Sequence, residues 1–543
     1  MAAPLGVALR LWLLGRLGST TTSSTASSNS SSGFARIFPA PHGKPVTATL
    51  GDSLFVISGG PPCQGFLRRS TSGGRSFDAT NCVYSNAWAE AHDCGGCRDA
   101  PVAVADERTG ALFMLLECYA GNFSQVVSNA SYKLDYTKTN LWAAKSTDFG
   151  RTFAPARNIT ATPPVPEGKP WTITGTYLAD SSGIQTHSGR LAVPGFVDIC
   201  FHDPRGTCNK SVAVGYQRNG GLGGQTPHNW AEMTFLLVSD DRGESWRMTA
   251  PFGLYSGEAE VVQLFDPPTR LGASLRIGGP MTSHCPGNAS VCDTGWGPGA
   301  TMQCGSPSSP ELGPAPHHCR AWMVSDTDGE TWYNPDNRSE PLFAAPLPDL
   351  PDPGCKGSVA RWEQGRALVS TNVQDGGDPG MNQYPRMNLT LAVSHDDGRT
   401  WPARRIVYPA TAGWSTYSSV RMTAEQQAAV LFDTVQLTPC RARIRNVTCA
   451  DELATAESCL ACALAHKAEL TTPYTTPPAA PRSYCPGVWG FEEFDNDGHQ
   501  SGVQPNPDNF LATASSACGE LSWPESPDGM LLALVDPPPP KAA

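Results

Sequence analysis

Charge is scarce in this sequence. Asp, Glu, Lys and Arg make up 16% of the 543 residues, against about 25% in an average globular chain. Base is in deficit, with 39 Lys and Arg against 50 Asp and Glu and a formal net charge of −11. That balance argues against nucleic acid as a partner, because a phosphate backbone is met by a basic patch. No run of 18 apolar residues occurs, so no membrane span is expected after the N-terminal segment. Gly (54) and Pro (49) are about 19% of the chain, short of the roughly 25–30% that marks low complexity. That many breakers disfavour coiled coils and helical repeats. They favour many short strands joined by many turns, and 40% hydrophobic residues suffice for a sizeable core.

Cysteine, by contrast, is plentiful. There are 18, an even number that cytosolic enzymes rarely carry unless they bind metal. Nine Asn-x-Ser/Thr sequons start at Asn29, Asn122, Asn129, Asn158, Asn209, Asn288, Asn337, Asn388 and Asn446. Together they favour an oxidising, glycosylating compartment, extracellular or lysosomal. The N-terminus leaves an alternative open. Residues 1–17 are apolar but interrupted by Arg10 and Arg16, no acid precedes Asp52, and 19–32 is almost pure Ser/Thr. Those features also fit an organellar transit peptide.

One short pattern recurs. S-x-D-x-G-x-[TS]-[WF] is found at 146–153 (STDFGRTF), 239–246 (SDDRGESW) and 394–401 (SHDDGRTW), and SDTDGETW at 325–332 is nearly the same. A degraded copy, STSGGRSF, lies at 70–77 with Ser72 in the Asp position. The pattern predicts a turn. Asp148, Asp241, Asp328 and Asp396 or Asp397 are expected to accept backbone N–H groups across it, and the Gly supplies a positive φ. The terminal aromatic then packs between sheets. Between copies lie short apolar runs such as 54–58 (LFVIS), 111–117 (ALFMLLE) and 233–239 (MTFLLVS). Each unit is long enough for a four-stranded blade.

This pattern is the Asp-box, and the chain resembles the sialidase (neuraminidase) superfamily of Asp-box β-propellers. The fold implied is all-β, a six-bladed β-propeller over about 33–439. Residues 1–32 are then a signal or transit peptide and linker, and 440–543 a small Cys-rich, partly helical appendage with a Pro-rich tail. In that appendage 449–470 reads as helix. Cys94-x-x-Cys97 and Cys459-x-x-Cys462 are read as structural disulfides in preference to zinc or redox sites.

The resemblance to exo-α-sialidases extends to local runs in the right order: GIQTHSGRLAVPG (183–195), GEAEVVQL (257–264), ASLRIGG (273–279), RMNLTLAVSHDDGRTW (386–401) and WSTYSSV (414–420). It implies retaining hydrolysis of terminal sialic acids from glycans, glycoproteins or gangliosides, with no cofactor. Tyr417 takes the nucleophile position, since a neutral phenol is not repelled by the substrate carboxylate. Glu258 takes the position of its base. Arg36, Arg276 and Arg386 correspond to three arginines that clamp the carboxylate, where Arg alone offers bidentate donors. Asp433 matches the acid that orients the first of them. Two departures stand out. FARIFP carries one residue more than the family's F-R-I-P. The loop that should carry the general acid is short and acid-free in LFVISGGPPCQGFLRRS (54–70), which makes Asp99 the substitute candidate. The missing acid keeps a second reading open, a propeller that binds sialic acid or another anionic glycan without cleaving it.

Overall fold

A computed structural model describes residues 34–39, 44–60, 63–96, 101–120, 135–165, 171–201, 230–254, 256–267, 269–277, 303–304, 317–338, 344–352, 355–375, 386–408, 415, 417–434, 456–466, 473–474, 482–483 and 529–539. Six antiparallel sheets follow one another along the chain, the six blades of a propeller. The first runs Val46–Leu50, Ser53–Gly60, Cys63–Ser70, Asn81–Ser85. The second is built on Val102–Asp106, Ala111–Ala120 and Asp135–Ser146, and the third on Trp171–Leu178, Leu191–Phe201 and Trp230–Ser239. The fourth holds Ser256–Gln263, Leu271–Ile277, His317–Ser325 and Ala345–Pro351; the fifth holds Ser358–Trp362, Ala367–Asp375, Arg386–Ser394 and Ala403–Tyr408.

The sixth sheet closes the ring. Its order is Phe34–Pro39, Gly529–Val535, Ala428–Asp433, Ser418–Met422. Gly529–Val535 pairs antiparallel with both neighbours, Leu531 lying between Arg36 and Phe432. The sequence had placed 440–543 outside the propeller, yet this segment supplies a central strand of the closing blade. The Pro-rich tail also makes contact, since Gln427 Nε2 donates to Asp536 Oδ1 at 3.0 Å. A helix spans Ala456–Ala465, inside the segment that read as helical. Among the described residues no helix is long and apolar enough to cross a membrane.

Burial on both faces explains the composition of the strands. Neighbouring blades cover each sheet, so second strands such as Ala111–Ala120 read as near-continuous apolar runs instead of alternating. Every residue of Val102–Asp106 is buried, as is every residue of Ser256–Gln263. The core is accordingly divided among the blade interfaces. Phe113 of the second blade meets Trp246 of the third, ring centroids 5.9 Å apart. Trp322 of the fourth meets Trp401 of the fifth at 6.5 Å.

The Asp-box turns all join third strands to fourth strands. In the second blade Ser146 Oγ accepts from Gly150 N (2.8 Å), while Asp148 accepts from Thr152 N (2.9 Å) and Thr152 Oγ1 (2.6 Å). Asp241 and Asp396 repeat this with Ser245 and Thr400. At 325–332 the expectation fails by one residue. Thr327 Oγ1, not Asp328, accepts from Thr331 N at 2.9 Å. Asp328 occupies the left-handed position (φ 53°) and accepts from Ser188 Oγ of the third blade at 2.6 Å. In the degraded copy Ser72 Oγ takes the Asp role, accepting from Ser76 N at 2.9 Å. A hydroxyl at the right offset therefore closes the same turn as a carboxylate.

Near the axis the inner strands are tied to one another by short polar side chains. Thr47 N donates to Ser419 Oγ (3.0 Å), Ser182 Oγ to Thr47 O, Ser181 Oγ to Ala259 O (2.5 Å), and Val420 N to Ser358 Oγ (3.1 Å). These bonds satisfy backbone groups that water does not reach. They also fix the relative height of the blades, which decides what converges at the mouth.

Candidate active site

In each sheet the first strand begins, and the second ends, at one face of the disc, opposite the Asp-box turns. Side chains just before a first strand or at the end of a second strand therefore converge on the channel mouth. Tyr417 precedes Ser418–Met422, and Glu258 lies near the start of Ser256–Gln263. Arg276 lies at the end of Leu271–Ile277, and Asp433 ends Ala428–Asp433. Four of the seven residues singled out from sequence thus have side chains described at this one face.

Their contacts are specific. Glu258, 3% exposed, is held at both oxygens: Lys44 Nζ donates to Oε1 at 2.5 Å and Arg276 Nη1 to Oε2 at 2.6 Å. Tyr417 is 5% exposed, and Lys44 Nζ lies 4.9 Å from its ring centroid. Asp433 Oδ1 accepts from Tyr417 N at 2.7 Å, and Asp433 N donates back to Tyr417 O at 3.3 Å. Asp433 thus fixes the backbone of Tyr417. Burial works against the charge on Arg276, but Glu258, Tyr417 and Glu232 outweigh it and push its pKa further up. The guanidinium is a permanent cation in the site.

Sequence reasoning missed three groups here. Lys44, just before Val46–Leu50, also donates to Asp180 Oδ2 at 2.9 Å. Asp180 is buried with φ 53°, a conformation unusual outside glycine. Lys356, just before Ser358–Trp362, is buried and donates from Nζ to Pro45 O at 2.9 Å. Burial pushes its pKa down and Lys44 adds to that, while Glu260, Asp180 and Glu258 pull the other way. Below them Arg421 Nη2 donates to the buried Glu260 Oε1 at 2.8 Å. The available signal was position: Lys44 and Lys356 stand two residues before a first strand, and Tyr417 one.

The remaining candidates are placed less completely. Arg36 lies in Phe34–Pro39 opposite Leu531, and Arg386 opens Arg386–Ser394 opposite Asp375. Their strands end and begin at the mouth face, and only their backbones are described. The residue inserted in FARIFP becomes a register shift between Arg36 and Phe38, the way a β-bulge absorbs one extra residue. Asp99 lies outside the described residues. The acid-free loop is a tight hairpin, with Gly60 paired to Cys63 and two residues between. Its far strand is pinned by the Cys63–Cys82 disulfide. Cys94 pairs with Cys118 instead of forming a CxxC centre, and Cys459 and Cys462 are likewise disulfide-bonded.

A buried frame supports the mouth. Arg320, at the start of its strand's described core, and Asp352 are both fully buried and paired at 3.1 Å. Arg320 also donates to Ser274 Oγ (2.7 Å), Ser274 O (3.2 Å) and Cys355 O (3.0 Å). It locks the fourth blade to the segment that carries Lys356.

No family model matches the chain, and no curated protein does. Solved structures are similar to it. A Hadza microbial sialidase matches at 18% identity over 72% of this chain and 63% of its own, TM-score 0.45. The leech intramolecular trans-sialidase matches at 13% over 74% and 67%, TM-score 0.45. Trypanosoma rangeli sialidase matches at 12% over 74% and 54%, TM-score 0.43. The chain spans less than two thirds of the length of the Hadza protein. The molecule is a six-bladed β-propeller, and the solved structures it is similar to are sialidases and trans-sialidases.

Proposed function

We propose that the chain is an exo-α-sialidase that hydrolyses terminal sialic acids with retention, through an intermediate linked to Tyr417. The observation that carries this reading is the meeting of Tyr417, Glu258 and Arg276 at one channel mouth from two blades, with Glu258 and Arg276 paired at 2.6 Å. Arg276, with Arg36 and Arg386, would bind the substrate carboxylate. In the free site both oxygens of Glu258 are engaged by cations. A substrate carboxylate competes for Arg276 and so releases one oxygen of Glu258. Glu258 then accepts the phenolic proton as the Tyr417 oxygen bonds to the anomeric carbon. The glycosidic oxygen leaves with that carbon's bonding pair and takes a proton from an acid, for which Asp99 remains the sequence candidate. Water then attacks the same carbon, the Tyr417 bond breaks, and the phenol is re-protonated.

The hairpin at Gly60 and Cys63 favours a second reading, a propeller that binds sialic acid without turnover, because no acid lies there. Hydrolysis of an aryl sialoside and of sialyl-lactose, with Tyr417→Phe as control, separates the two. Cleavage of both substrates, reduced at least about 1,000-fold in the mutant, supports the hydrolase. Cleavage of the aryl substrate alone means that nucleophile and clamp operate without an acid. Binding of sialic acid with neither substrate cleaved refutes the hydrolase and leaves the lectin. We further propose a secretory location for the chain; glycan on the exposed Asn337 of the expressed protein, found by peptide mass mapping, tests it.

A further inference from the structure

We propose that Lys44 is a positioning residue for Tyr417 and Glu258, its ammonium fixing one oxygen of the carboxylate and favouring negative charge on the phenol ring. The proposal rests on the reading of Tyr417 as nucleophile, and nothing in the sequence resemblance assigns a role to Lys44. A lysine ammonium is strongly hydrated and is seldom buried without partners. Here it is buried between two carboxylates, Glu258 at 2.5 Å and Asp180 at 2.9 Å, with the Tyr417 ring 4.9 Å away. Its backbone is anchored as well, because the next residue's carbonyl accepts from Lys356 Nζ. Asp180 holds a left-handed φ, so the turn that aims its carboxylate is itself strained.

The charged groups around this position come from several blades. Lys44 and Lys356 precede first strands, and Asp180 follows Trp171–Leu178. Glu258 and Glu260 come from Ser256–Gln263, Arg276 from Leu271–Ile277 and Glu232 from Trp230–Ser239, with Arg421 and Asp433 from the closing blade. Arg276 also interacts with Tyr417, and Glu258 lies between it and Lys44. Removing Lys44 therefore takes one positive charge away from Tyr417 and Glu258. Phenolate formation at Tyr417 should become harder, and Glu258 should become easier to protonate.

Wild type, Lys44→Met and Lys44→Arg, each with and without Tyr417→Phe, provide the test. The ultraviolet difference within each pair isolates the Tyr417 phenolate as pH rises and needs no substrate. Lys44→Met should raise its midpoint by about one pH unit or more, and Lys44→Arg should restore most of the shift. With an aryl sialoside, Lys44→Met should lower kcat about 10- to 100-fold with KM nearly unchanged. The acid limb of kcat/KM should move to higher pH. If Lys44→Met does not fold, Asp180→Asn is used instead. It leaves Lys44 to Glu258 and Tyr417 alone, so the midpoint and the acid limb should both fall. A phenolate midpoint that does not move in a folded variant overturns the proposal. A moved midpoint in a protein that cleaves no sialoside refutes the hydrolase reading and keeps the assignment of Lys44. Turnover with an unmoved midpoint does the reverse.

Discussion

Glu258 is the residue on which the site turns, because its two oxygens read two different parts of the chain. Arg276 reaches it from the same sheet; Lys44 reaches it from a position 214 residues away. Sequence comparison made Glu258, Arg276 and Tyr417 visible because each sits in a run of matching neighbours. Lys44 and Asp180 sit in no such run, and their pairing depends on the height at which the first and third blades are fixed. Arg276→Lys should lower kcat/KM on a sialoside by about 100-fold, mainly through KM, since one ammonium cannot replace a bidentate fork; steady-state kinetics measures this. The supporting frame gives a separate stability prediction. Asp352→Ala leaves the fully buried Arg320 without its carboxylate, which should cost about 3–5 kcal/mol in denaturant unfolding.

Among elements, the Asp-box turn was the most legible, because its bonds close within eight residues. Its glycine also has a long-range role that the pattern does not reveal. Gly150 has φ 76°, and a Cβ there would lie 2.7 Å from Phe55 of the preceding blade. Gly150→Ala should therefore destabilise by about 2 kcal/mol or more, from backbone strain together with overpacking, as a lowered melting temperature would report. The acids of the turn give a pH signature. Hydrogen bonds from Thr152 hold Asp148 down at about 2. At Asp241 burial opposes ionisation, but bonds from Ser245 and Ser239 outweigh it and bring the pKa to about 2. Both folded values lie below the ordinary value of 3.8. Their contribution is therefore present above about pH 4 and is lost as pH falls toward about 2. Acid unfolding of Asp241→Asn should be flatter than wild type over that window. An unchanged slope would mean the turn bonds do not couple to stability. The misplaced Asp328 shows the limit of pattern reading, since Thr327 satisfies the turn and frees the carboxylate to bind the third blade.

For the whole molecule, the repeat marks five of the six blades, the resemblance implied the sixth, and the closure was not legible. Nothing local in Gly529–Val535 distinguishes a stray strand from the strand that joins both ends of the ring. Only its pairing with Phe34–Pro39 and Ala428–Asp433 does. Truncation after Asp528 should therefore prevent a folded propeller, and a soluble, cooperatively unfolding product would contradict this closure. Closure also holds the mouth together, because Tyr417 and Asp433 belong to the closing sheet while Glu258 and Arg276 belong to the fourth. The central claim is that this mouth forms a covalent bond from Tyr417 to sialic acid. It is tested most directly by quenching turnover of an aryl sialoside with acid and weighing the peptide that contains Tyr417. One added sialosyl group on that peptide, absent in Tyr417→Phe, is the result predicted. Turnover with no adduct on Tyr417, or full activity in Tyr417→Phe, would contradict it.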